Sequence, residues 1–266
     1  MKIGIHGING KMGQAIAHEI ISHPDLELAA ASVRNGHEWA GKRLCDVTDL
    51  PHDCTVRVTS NLEQFCAAVD VAVDFTRPDA TFAILPVCQK LKKPLMIGTT
   101  GFNNDTTAWI HRAAQEIPVV LAANTSLGVN ILFEVSRRVA EVLDYQHWDV
   151  DIAEAHHRNK VDAPSGTALR IGEMIAQAQN SDFEARKRYP YTNRRKTGDI
   201  GFSVLRAGDN IGEHTVYFTA EDERLEFTHR ANNRRIFARG ALTAAIWLDK
   251  RPAGLYNMAD VLGFTS

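Results

Sequence analysis

Short apolar runs alternate with helical patterns through the first 125 residues, and this alternation restricts the fold more than any other feature. Each run has the length of a buried strand and precedes a segment with apolar residues at helical spacing. Repeated strand–helix–strand units form right-handed crossovers and a parallel sheet. The predicted strands are "KIGIH" (2–6), "LELAAASV" (26–33), "VAVDF" (71–75), "PLMIG" (94–98) and "PVVLAA" (118–123).

Two local signals concern the helices of this region. Ser60 precedes a helical pattern and Glu63 follows three residues later, which predicts a capping box. The pattern "DATFAILPVCQK" (79–90) contains Pro86, and a proline inside a helix removes a backbone hydrogen bond. We therefore expect this helix to be kinked or shortened.

The pattern changes near residue 127. Three strands joined by the short turns "DNIG" and "EDE" predict an antiparallel meander that is covered on one face. We expect an α/β protein: a Rossmann-type parallel-sheet domain (1–126 plus 235–266) and an inserted α+β domain (127–234) with a mainly antiparallel or mixed sheet. The elements predicted after residue 127 are a helix (128–144), a strand (148–157), a helix (about 165–179), the three strands (200–208, 213–220 and 224–231) and a helix (234–250) that returns to the first domain.

Composition and charge exclude several classes of protein. The formal net charge is −2, so no overall field attracts nucleic acid or an anionic membrane. The basic run at 186–196 is expected to be a solvated loop rather than a polyanion site. No apolar stretch of 18 residues, signal peptide or metal-type cysteine spacing is found. We expect a cytoplasmic protein with reduced thiols and no metal, membrane or nucleic-acid partner.

Gly7, Gly10 and Gly13 follow the first predicted strand and open the first helix. A tight glycine turn at this place directs backbone N–H groups toward one point, where a diphosphate can bind at the helix N-terminus. Asn9 stands where the common fingerprint has its second glycine, and asparagine tolerates positive φ. The loop predicts a dinucleotide site, and the alternative is a purely structural turn.

The residues after the second strand bear on the choice of cofactor. In an NAD-binding domain, an acid at the end of this strand binds the ribose 2′-hydroxyl. Val33 cannot accept that hydrogen bond, and Arg34 follows it. A guanidinium suits a 2′-phosphate, with Lys11 as a candidate second cation. We therefore expect NADPH, with NADH as a second option; the alternative is that Arg34 only faces solvent.

Turn residues follow each of the next three strands. The segments are "DFTRP" (74–78), "IGTTGF" (97–102) and "AANTSLGVN" (122–130). Ligands of open α/β sheets bind at the carboxyl ends of the strands, so three such loops on one edge predict a cofactor wall. Ordinary turn chemistry is the alternative.

The segment "EAHHRNKVDAPSGTA" (154–168) concentrates polar chemistry between a strand and a helix. His156 and His157 end the strand with side chains on opposite faces, which disfavours a shared metal. Lys160 lies in the same loop, and the helix that starts at 165–167 offers backbone donors to a carboxylate. Histidine titrates near neutrality, as a general acid must. The segment predicts a pocket that holds an anion and protonates a reacting carbon; a structural loop is the alternative.

With these motifs the chain resembles the 4-hydroxy-tetrahydrodipicolinate reductase (dihydrodipicolinate reductase) family of diaminopimelate and lysine biosynthesis. The resemblance covers nearly the whole chain, and His-His-x-x-Lys…Pro-Ser-Gly-Thr is its most specific motif. It implies NAD(P)H-dependent reduction of a small cyclic dicarboxylate, 4-hydroxy-tetrahydrodipicolinate, to tetrahydrodipicolinate with loss of water. It also implies a homotetramer assembled through the sheets of the second domain.

The resemblance also assigns roles to residues. It implies that His156 donates and accepts a proton, that Lys160 is a second proton donor and that His157 binds substrate. Gly166 and Thr167 would hold a carboxylate through their N–H groups. The matching cofactor segments are Gly7, Ile8, Asn9, Gly10, Lys11 and Met12; Gly98, Thr99 and Thr100; and Ala122, Ala123, Asn124 and Thr125.

Three positions depart from the family pattern. Val33 stands where relatives that use both cofactors carry an acid, which puts NADH use in question. Thr125 stands where an aromatic residue is common beside the nicotinamide. Pro190 and Asn193 replace glycines that are expected in the basic loop, so the conformation of that loop is open.

Two other functions are compatible with a nucleotide domain. One is a different two-domain NADP-dependent dehydrogenase, of the homoserine or aspartate dehydrogenase type, which leaves the His-His-x-x-Lys loop unexplained. The other is a regulator that senses NADPH without catalysis, which predicts binding without turnover.

Overall fold

The structure is a computed structural model that describes residues 1–264. It divides into two compact units. Unit 1 comprises Met1–Leu127 and the chain from Arg235 onward, and unit 2 comprises Gly128–Arg234. The last two residues of the expected segment 235–266 lie outside the described residues.

The predicted strands and helices occur within a few residues of their expected bounds. The strands are β1 (Lys2–His6), β2 (Glu27–Ser32), β3 (Val58–Thr59), β4 (Val71–Asp74), β5 (Leu95–Ile97), β6 (Pro118–Leu121), β7 (Asp149–His156), β8 (Lys187–Arg188), β9 (Ile200–Arg206), β10 (Gly212–Thr219), β11 (Arg224–Ala231) and β12 (Gly254–Tyr256). The helices are α1 (Lys11–Ile21), α2 (Leu62–Ala67), α3 (Pro78–Lys90), α4 (Asn104–Ala114), α5 (Leu127–Val142), α6 (Gly166–Ala178), α7 (Phe183–Arg186), α8 (Arg235–Leu248) and α9 (Met258–Val261), with a short 3₁₀ helix at Leu44–Asp46. The structure thus adds the short elements β3, β8, β12, α7 and α9, which were not predicted.

Unit 1 is built on a parallel sheet of seven strands in the order β12-β6-β5-β4-β1-β2-β3. Successive residues of a strand face opposite sides. Val71 and Val73 of β4 therefore pack in a core with α1 and α8, whereas Ala72 packs in a second core with α2, α3 and α4. Since both faces are covered, the strands are apolar on both sides. This architecture confirms the predicted Rossmann-type α/β class.

The predicted cap of α2 was wrong, and of the two effects expected from Pro86, the shortening of α3 does not occur. Helix α2 is capped by Asn61, whose side chain accepts from the Gln64 N–H (3.0 Å), so the capping box does not start at Ser60. Helix α3 continues through Pro86 to Lys90 and is not shortened. Pro86 lies on the exposed side of α3, where water can bind the carbonyl that the proline leaves without an N–H partner.

Unit 2 contains a mixed sheet of five strands in the order β11-β10-β7-β9-β8. β10 pairs antiparallel with β11 and β7, whereas β7–β9 and β9–β8 are parallel pairs. The predicted meander was therefore wrong, because β7 lies between β9 and β10. β7 forms hydrogen bonds along its length to both β9 and β10, although it precedes these strands by about 45 residues or more in the chain.

Helices α5 and α6 pack on one face of this sheet. Their apolar residues form a core with the inward residues of β7, β9 and β10, among them Ile152, Phe202 and Phe218. The inward face of β7 continues past this core to Glu154 and His156, which are both buried. The packing therefore fixes the strand that carries the polar segment.

The basic run at 186–196 begins at the end of α7 and in β8, continues as a mostly exposed loop, and is tied to unit 2 by two of its arginines. Arg195 pairs with Asp149 (2.9 Å) and Asp151 (2.6 Å), and Arg188 pairs with Asp199 (2.9 Å). The charges of Arg188 and Arg195 are therefore paired within unit 2, whereas Arg194 is exposed. Across residues 1–264, no helix combines the length and apolarity that crossing a membrane requires.

Candidate active site

The loop between β1 and α1 has the geometry of a phosphate-binding turn. Gly7 adopts φ +87°, a left-handed conformation that favours glycine. A Cβ on Gly13 would lie 2.5 Å from the Gly7 carbonyl oxygen, so α1 can approach the turn this closely only with glycine there. Gly10 is the N-cap and provides no side-chain cap, so no capping side chain competes with an anion for the first N–H groups of α1. The loop therefore fits a diphosphate.

The predicted cofactor residues differ in exposure. Four are buried and can reach a ligand only through their backbone or by shaping the loops: Ile8, Thr99, Ala122 and Thr125. The others are half-buried or exposed: Gly7, Asn9, Gly10, Lys11, Met12, Arg34, Gly98, Thr100, Ala123 and Asn124.

The end of β2 separates an apolar and a charged side chain. Val33 packs in the core of unit 1 and is 2% exposed. Arg34 is exposed and forms no side-chain hydrogen bond or ion pair within the part of the chain that the structure describes. Its guanidinium is therefore available to a 2′-phosphate.

The loops after β4, β5 and β6 lie on one edge of unit 1, since these strands are adjacent and parallel. Asp74 at the end of β4 is fully buried and accepts hydroxyl hydrogen bonds from Thr76 (2.5 Å), Thr99 (3.2 Å) and Thr81. The Thr76 N–H donates in turn to Thr99 Oγ1 (2.8 Å). The Thr99 side chain therefore holds two loops together and leaves the backbone and Thr100 to meet a ligand.

The loop after β6 is fixed against α8. The Thr125 hydroxyl donates to the Phe237 carbonyl (2.7 Å). A Cβ on Gly240 would lie 1.7 Å from the Thr125 carbonyl oxygen, so α8 meets the loop backbone directly. Thr125 therefore uses its polar group internally, and its contact with a nicotinamide would differ from that of an aromatic side chain.

In unit 2, the strand alternation of β7 places Glu154 and His156 on the same buried face. The exposed fractions of these residues are 3% and 8%. His156 Nδ1 lies 2.5 Å from Glu154 Oε2, which makes this a short hydrogen-bonded pair. His156 Nε2 has no hydrogen-bond partner among the described residues, so this nitrogen is the one able to exchange a proton with a ligand.

Lys160 lies in the turn that follows β7. Its N–H donates to the His157 carbonyl (3.1 Å), and its ammonium pairs with Asp162 (2.8 Å). The Lys160 charge lies close enough to His214 to contribute to the lowered pKa of that imidazole. The structure thus brings Lys160 to the surroundings of the buried imidazoles.

His157 is half-buried and faces a different environment from His156. It lines a cavity of about 700 Å³. Two arginines and one aspartate make this cavity predominantly basic, which suits an anionic ligand. The other lining residues are Arg158, Asn159, Gly208, Asp209 and Arg234.

Glu154 accepts hydrogen bonds from three groups. Arg206 binds it in a bidentate manner (2.8 and 2.7 Å), the Ser165 N–H donates to Oε1 (3.0 Å), and His156 donates to Oε2. Burial by itself raises the pKa of Glu154, but the hydrogen bonds from His156, Arg206 and Ser165 outweigh burial and lower the pKa to about 2. The carboxylate is therefore ionised at neutral pH.

Ser165 connects this group to the N-terminus of α6. Its hydroxyl accepts from the Ala168 N–H (3.2 Å) and shares a hydrogen bond with His214 Nε2 (3.1 Å). The His214 ring packs edge-on against His156 at 5.1 Å. Burial, followed by the charge of His156, lowers the pKa of His214 to about 3, so this ring is neutral.

Gly166 and Thr167 are the first two residues of α6, where the backbone N–H groups of an α-helix point out of its N-terminus. A Cβ on Gly166 would meet no heavy atom within 4 Å. The helix start therefore has open space in front of it, as a ligand carboxylate requires.

Sequence reasoning missed the groups around His156. Glu154 could have been found, because it precedes His156 by two residues on a strand and must share its face. Arg206 and His214 lie opposite His156 and Glu154 on the neighbouring strands. The predicted meander concealed these neighbours, since it left β7 outside the β9–β10 pair.

No metal centre accompanies these residues: in the described chain, no three His, Cys, Asp or Glu side chains are grouped as metal ligands. An uncapped glycine turn and a buried acid–base pair on separate units are typical of a two-domain, nucleotide-dependent reductase or dehydrogenase.

Comparison with known proteins assigns this chain to one family within that class. A model of the dihydrodipicolinate reductase N-terminus matches residues 1–125, and a model of its C-terminus matches residues 128–262. The 4-hydroxy-tetrahydrodipicolinate reductase of Nitrosomonas europaea is 45% identical over 99% of this chain and 98% of its own length. The enzyme of Hahella chejuensis is 42% identical over 98% of each chain.

A solved structure agrees with these matches. The dipicolinate-bound dihydrodipicolinate reductase of Paenisporosarcina sp. TG-14 has a TM-score of 0.79 and 25% identity, and the match covers 98% of each chain. The chain belongs to the dihydrodipicolinate reductase family, whose members are nicotinamide-dependent oxidoreductases of lysine and diaminopimelate biosynthesis. Neither a homoserine- or aspartate-type dehydrogenase nor a non-catalytic regulator is favoured.

Proposed function

We propose that this chain reduces 4-hydroxy-tetrahydrodipicolinate to tetrahydrodipicolinate, with loss of the hydroxyl as water, and that His156 and Lys160 supply the protons. The observation that carries the assignment is the match of both halves of the chain to one reductase family. The acid–base group of unit 2 gives that assignment a chemical basis, because its imidazole is held by a carboxylate and keeps Nε2 available.

The cofactor is NADPH in this proposal, with NADH as a weaker substitute. Unit 1 would hold it, since the N-terminus of α1 is uncapped and suits a diphosphate. Arg34 would bind the 2′-phosphate, because its guanidinium is exposed and no acid precedes it. The bound nicotinamide supplies the hydride. The remaining cofactor contacts would come from Gly7 to Met12, Gly98 to Thr100 and Ala122 to Thr125.

The substrate is a small cyclic dicarboxylate, and unit 2 would hold it. Gly166 and Thr167 would donate backbone N–H groups to one carboxylate, for which the open space at Gly166 leaves room. His157 would bind the substrate from the basic cavity. The related structure from Paenisporosarcina contains dipicolinate, a planar cyclic dicarboxylate, which supports this class of ligand.

His156 would transfer its proton through Nε2, and Lys160 would donate the second proton. A positioned acid or base contributes typically about 10²–10⁴-fold to rate. Glu154 stabilises the imidazolium form, and the Asp162 carboxylate holds the Lys160 ammonium in the loop (2.8 Å).

A coupled assay tests this function. Freshly generated cyclised substrate is offered with NADPH or NADH, and the loss of reduced cofactor is followed by absorbance. We expect turnover with both cofactors, faster with NADPH. Loss of reduced cofactor with the keto acid or aldehyde that corresponds to aspartate or homoserine, but not with the dicarboxylate, would contradict the proposal, and so would tight NADPH binding without any turnover.

The Lys160→Ala variant tests the proton donor within the same assay. We expect kcat to fall about 100-fold while the Kd for NADPH stays within about twofold, because Lys160 belongs to unit 2. Lys250→Ala is the matched control, since the Lys250 side chain is 89% exposed and lies in unit 1. An unchanged kcat for Lys160→Ala would remove Lys160 from the mechanism.

A homotetramer and a cytoplasmic location complete the proposal. Both rest on the resemblance to the family, and equilibrium sedimentation of the purified chain tests the first of them.

A further inference from the structure

The contacts around His156 involve two side chains to which the proposed function gives no role of their own. We propose that Glu154 and Arg206 are positioning residues that fix the tautomer and the orientation of the His156 imidazole. This inference rests on the proposed proton transfer by His156, and it adds two residues that act through that imidazole rather than on the substrate.

The tautomer of His156 follows from the groups that bind Glu154. An ionised carboxylate only accepts hydrogen bonds. Because the Arg206 guanidinium donates to both oxygens of Glu154 and the Ser165 N–H donates to Oε1, the carboxylate is held ionised; the group 2.5 Å from its Oε2 must then be a donor, which makes His156 Nδ1 the protonated nitrogen. Nε2 is then the nitrogen that gains and loses a proton, and it is the nitrogen without a partner among the described residues.

The orientation of the His156 imidazole follows from the contacts that fix the Glu154 carboxylate. Glu154 Oε2 accepts from His156 and Arg206, and Oε1 accepts from Arg206 and the Ser165 N–H. A planar guanidinium that binds a carboxylate with two donors fixes the plane of the carboxylate. Glu154 therefore cannot turn without breaking several bonds, and its fixed plane sets the direction in which His156 Nδ1–H must point.

Arg206 connects the two proposed proton donors. Arg206 also donates to the Asp162 carbonyl (2.6 Å), and the Asp162 side chain pairs with Lys160 (2.8 Å). One guanidinium thus binds both the carboxylate beside His156 and the loop that carries Lys160. We expect Arg206 to maintain the spacing between the imidazole and the ammonium.

Among the groups around the His156 imidazole, Glu154 carries the negative charge in direct contact with it. His214 packs edge-on against His156 and is neutral, because burial and then the charge of His156 lower its pKa to about 3. The negative charge that contacts the imidazole directly therefore comes from Glu154. The titratable and charged groups around His156 are Glu154 on β7, Arg206 on β9, His214 on β10 with His229 near it on β11, and Lys160 and Asp162 in the loop.

The Glu154→Gln variant tests the carboxylate. It keeps the size of the side chain but removes the charge that stabilises the His156 imidazolium. We expect the alkaline limb of the pH profile of kcat/KM to move down by at least about one pH unit, since hydrogen bonds to charged groups are strong. We expect kcat at about pH 7.5 to fall at least tenfold, with KM within about threefold.

Two Arg206 variants test the guanidinium in the opposite direction. Arg206→Met leaves the Glu154 charge unshared, so the imidazolium is stabilised more and the alkaline limb moves up, while kcat falls because the carboxylate is no longer fixed. Arg206→Lys keeps the charge and loses the bidentate geometry. For Arg206→Lys, we expect the alkaline limb of the kcat/KM profile to stay near that of the wild type. We expect its kcat to fall less than that of Arg206→Met.

A measurement without substrate separates this inference from the proposed function. NMR of ¹⁵N-labelled imidazole, with the His156 signal identified by its loss in His156→Gln, reports the tautomer and the titration midpoint of that ring in the free enzyme. We expect Nδ1–H in the wild type and a midpoint at lower pH in Glu154→Gln. A wild type that shows this titration but turns over no dicarboxylate contradicts the proposed function and leaves the positioning role intact.

The control is Glu173→Gln on α6, which removes an exposed carboxylate that pairs with Arg170. It should leave the pH profile and the NMR titration unchanged. If Glu154→Gln does not fold, the two Arg206 variants and their NMR titrations decide. A wild-type pH limb and kcat in Glu154→Gln, or limb shifts of the same sign in Glu154→Gln and Arg206→Met, would overturn the positioning role.

Discussion

Protonation of Glu154 is expected to destabilise unit 2 in mild acid. The hydrogen bonds that Glu154 accepts lower its pKa in the folded state to about 2, from a reference value of 4.5. A group with a depressed folded pKa contributes stability that is present above its unfolded pKa and is lost as the pH falls through the folded value. The contribution of Glu154 is therefore complete near neutrality and declines from about pH 5.5 toward about pH 2.

The size of the effect follows from the difference between the two pKa values. At about 1.4 kcal/mol per pKa unit, a difference of about 2.5 units corresponds to about 3 kcal/mol near neutrality. The Glu154 side chain has no solvent exposure, so little screening by water reduces this value. Linkage places about 2 kcal/mol of the loss between about pH 5.5 and about pH 3.

Fluorescence of Trp148 allows unit 2 to be followed alone. Trp148 packs against the core of unit 2 and is the sole tryptophan between residues 128 and 234. Replacing Trp39, Trp109 and Trp247 with phenylalanine gives a parent protein in which urea unfolding reports on unit 2. The free energy of unfolding is then measured from about pH 3 to about pH 7 for this parent and for the same protein with Glu154→Gln.

Other carboxyl groups of unit 2 contribute equally to both proteins, so the difference between the two curves isolates Glu154. We expect the free energy of unfolding to fall by about 2 kcal/mol more between about pH 5.5 and about pH 3 in the parent than in the variant. Glu173→Gln should follow the curve of the parent. Parallel curves for the parent and Glu154→Gln would refute the reasoning, because they would show that the Glu154 pKa is not depressed in the folded state.

Three further substitutions probe the loops. Arg34→Ala should raise the Kd for NADPH at least about tenfold and that for NADH less than about twofold, measured by nicotinamide fluorescence; equal changes would remove Arg34 from the 2′-phosphate site. Gly98→Ala should destabilise unit 1 by about 1–3 kcal/mol in thermal unfolding, since the new Cβ would lie 2.2 Å from the Phe75 ring. Gly166→Ala meets no neighbour, so it should change stability by less than about 0.5 kcal/mol yet raise KM for the dicarboxylate; an unaltered KM speaks against a carboxylate at α6.

Unit 1 could be predicted in most of its elements, because its signals are local. Buried parallel strands are continuous apolar runs, and each ends at a turn of glycine, threonine or asparagine. The glycine loop could be predicted equally well, since the positive φ of Gly7 and the close backbone contact at Gly13 both arise within one turn. The cap of α2 shows the limit of such signals: Ser60 and Asn61 are both good capping residues, and the structure uses Asn61.

Contacts between distant segments could not be predicted in the same way. Asp74 lies in a motif that the sequence does mark, but its binding of Thr81 and Thr99 depends on how a helix and a neighbouring strand pack. Arg206 lies 52 residues from Glu154, and no periodicity joins them. The candidate site was therefore predicted for the residues of one loop and missed for those that other strands contribute.

The order of the strands in unit 2 explains why the group around His156 exists. β7 is central, so residues on its inward face have neighbours on both sides. Parallel pairing places Arg206 of β9 opposite His156, and antiparallel pairing places His214 of β10 opposite Glu154. If β9 and β10 were adjacent, as in a meander, β7 would border only one of them, and Glu154 and His156 would lose one of these two neighbours. β7 and the loop after it supply the two proposed proton donors, and the sheet order supplies the side chains that contact one of them.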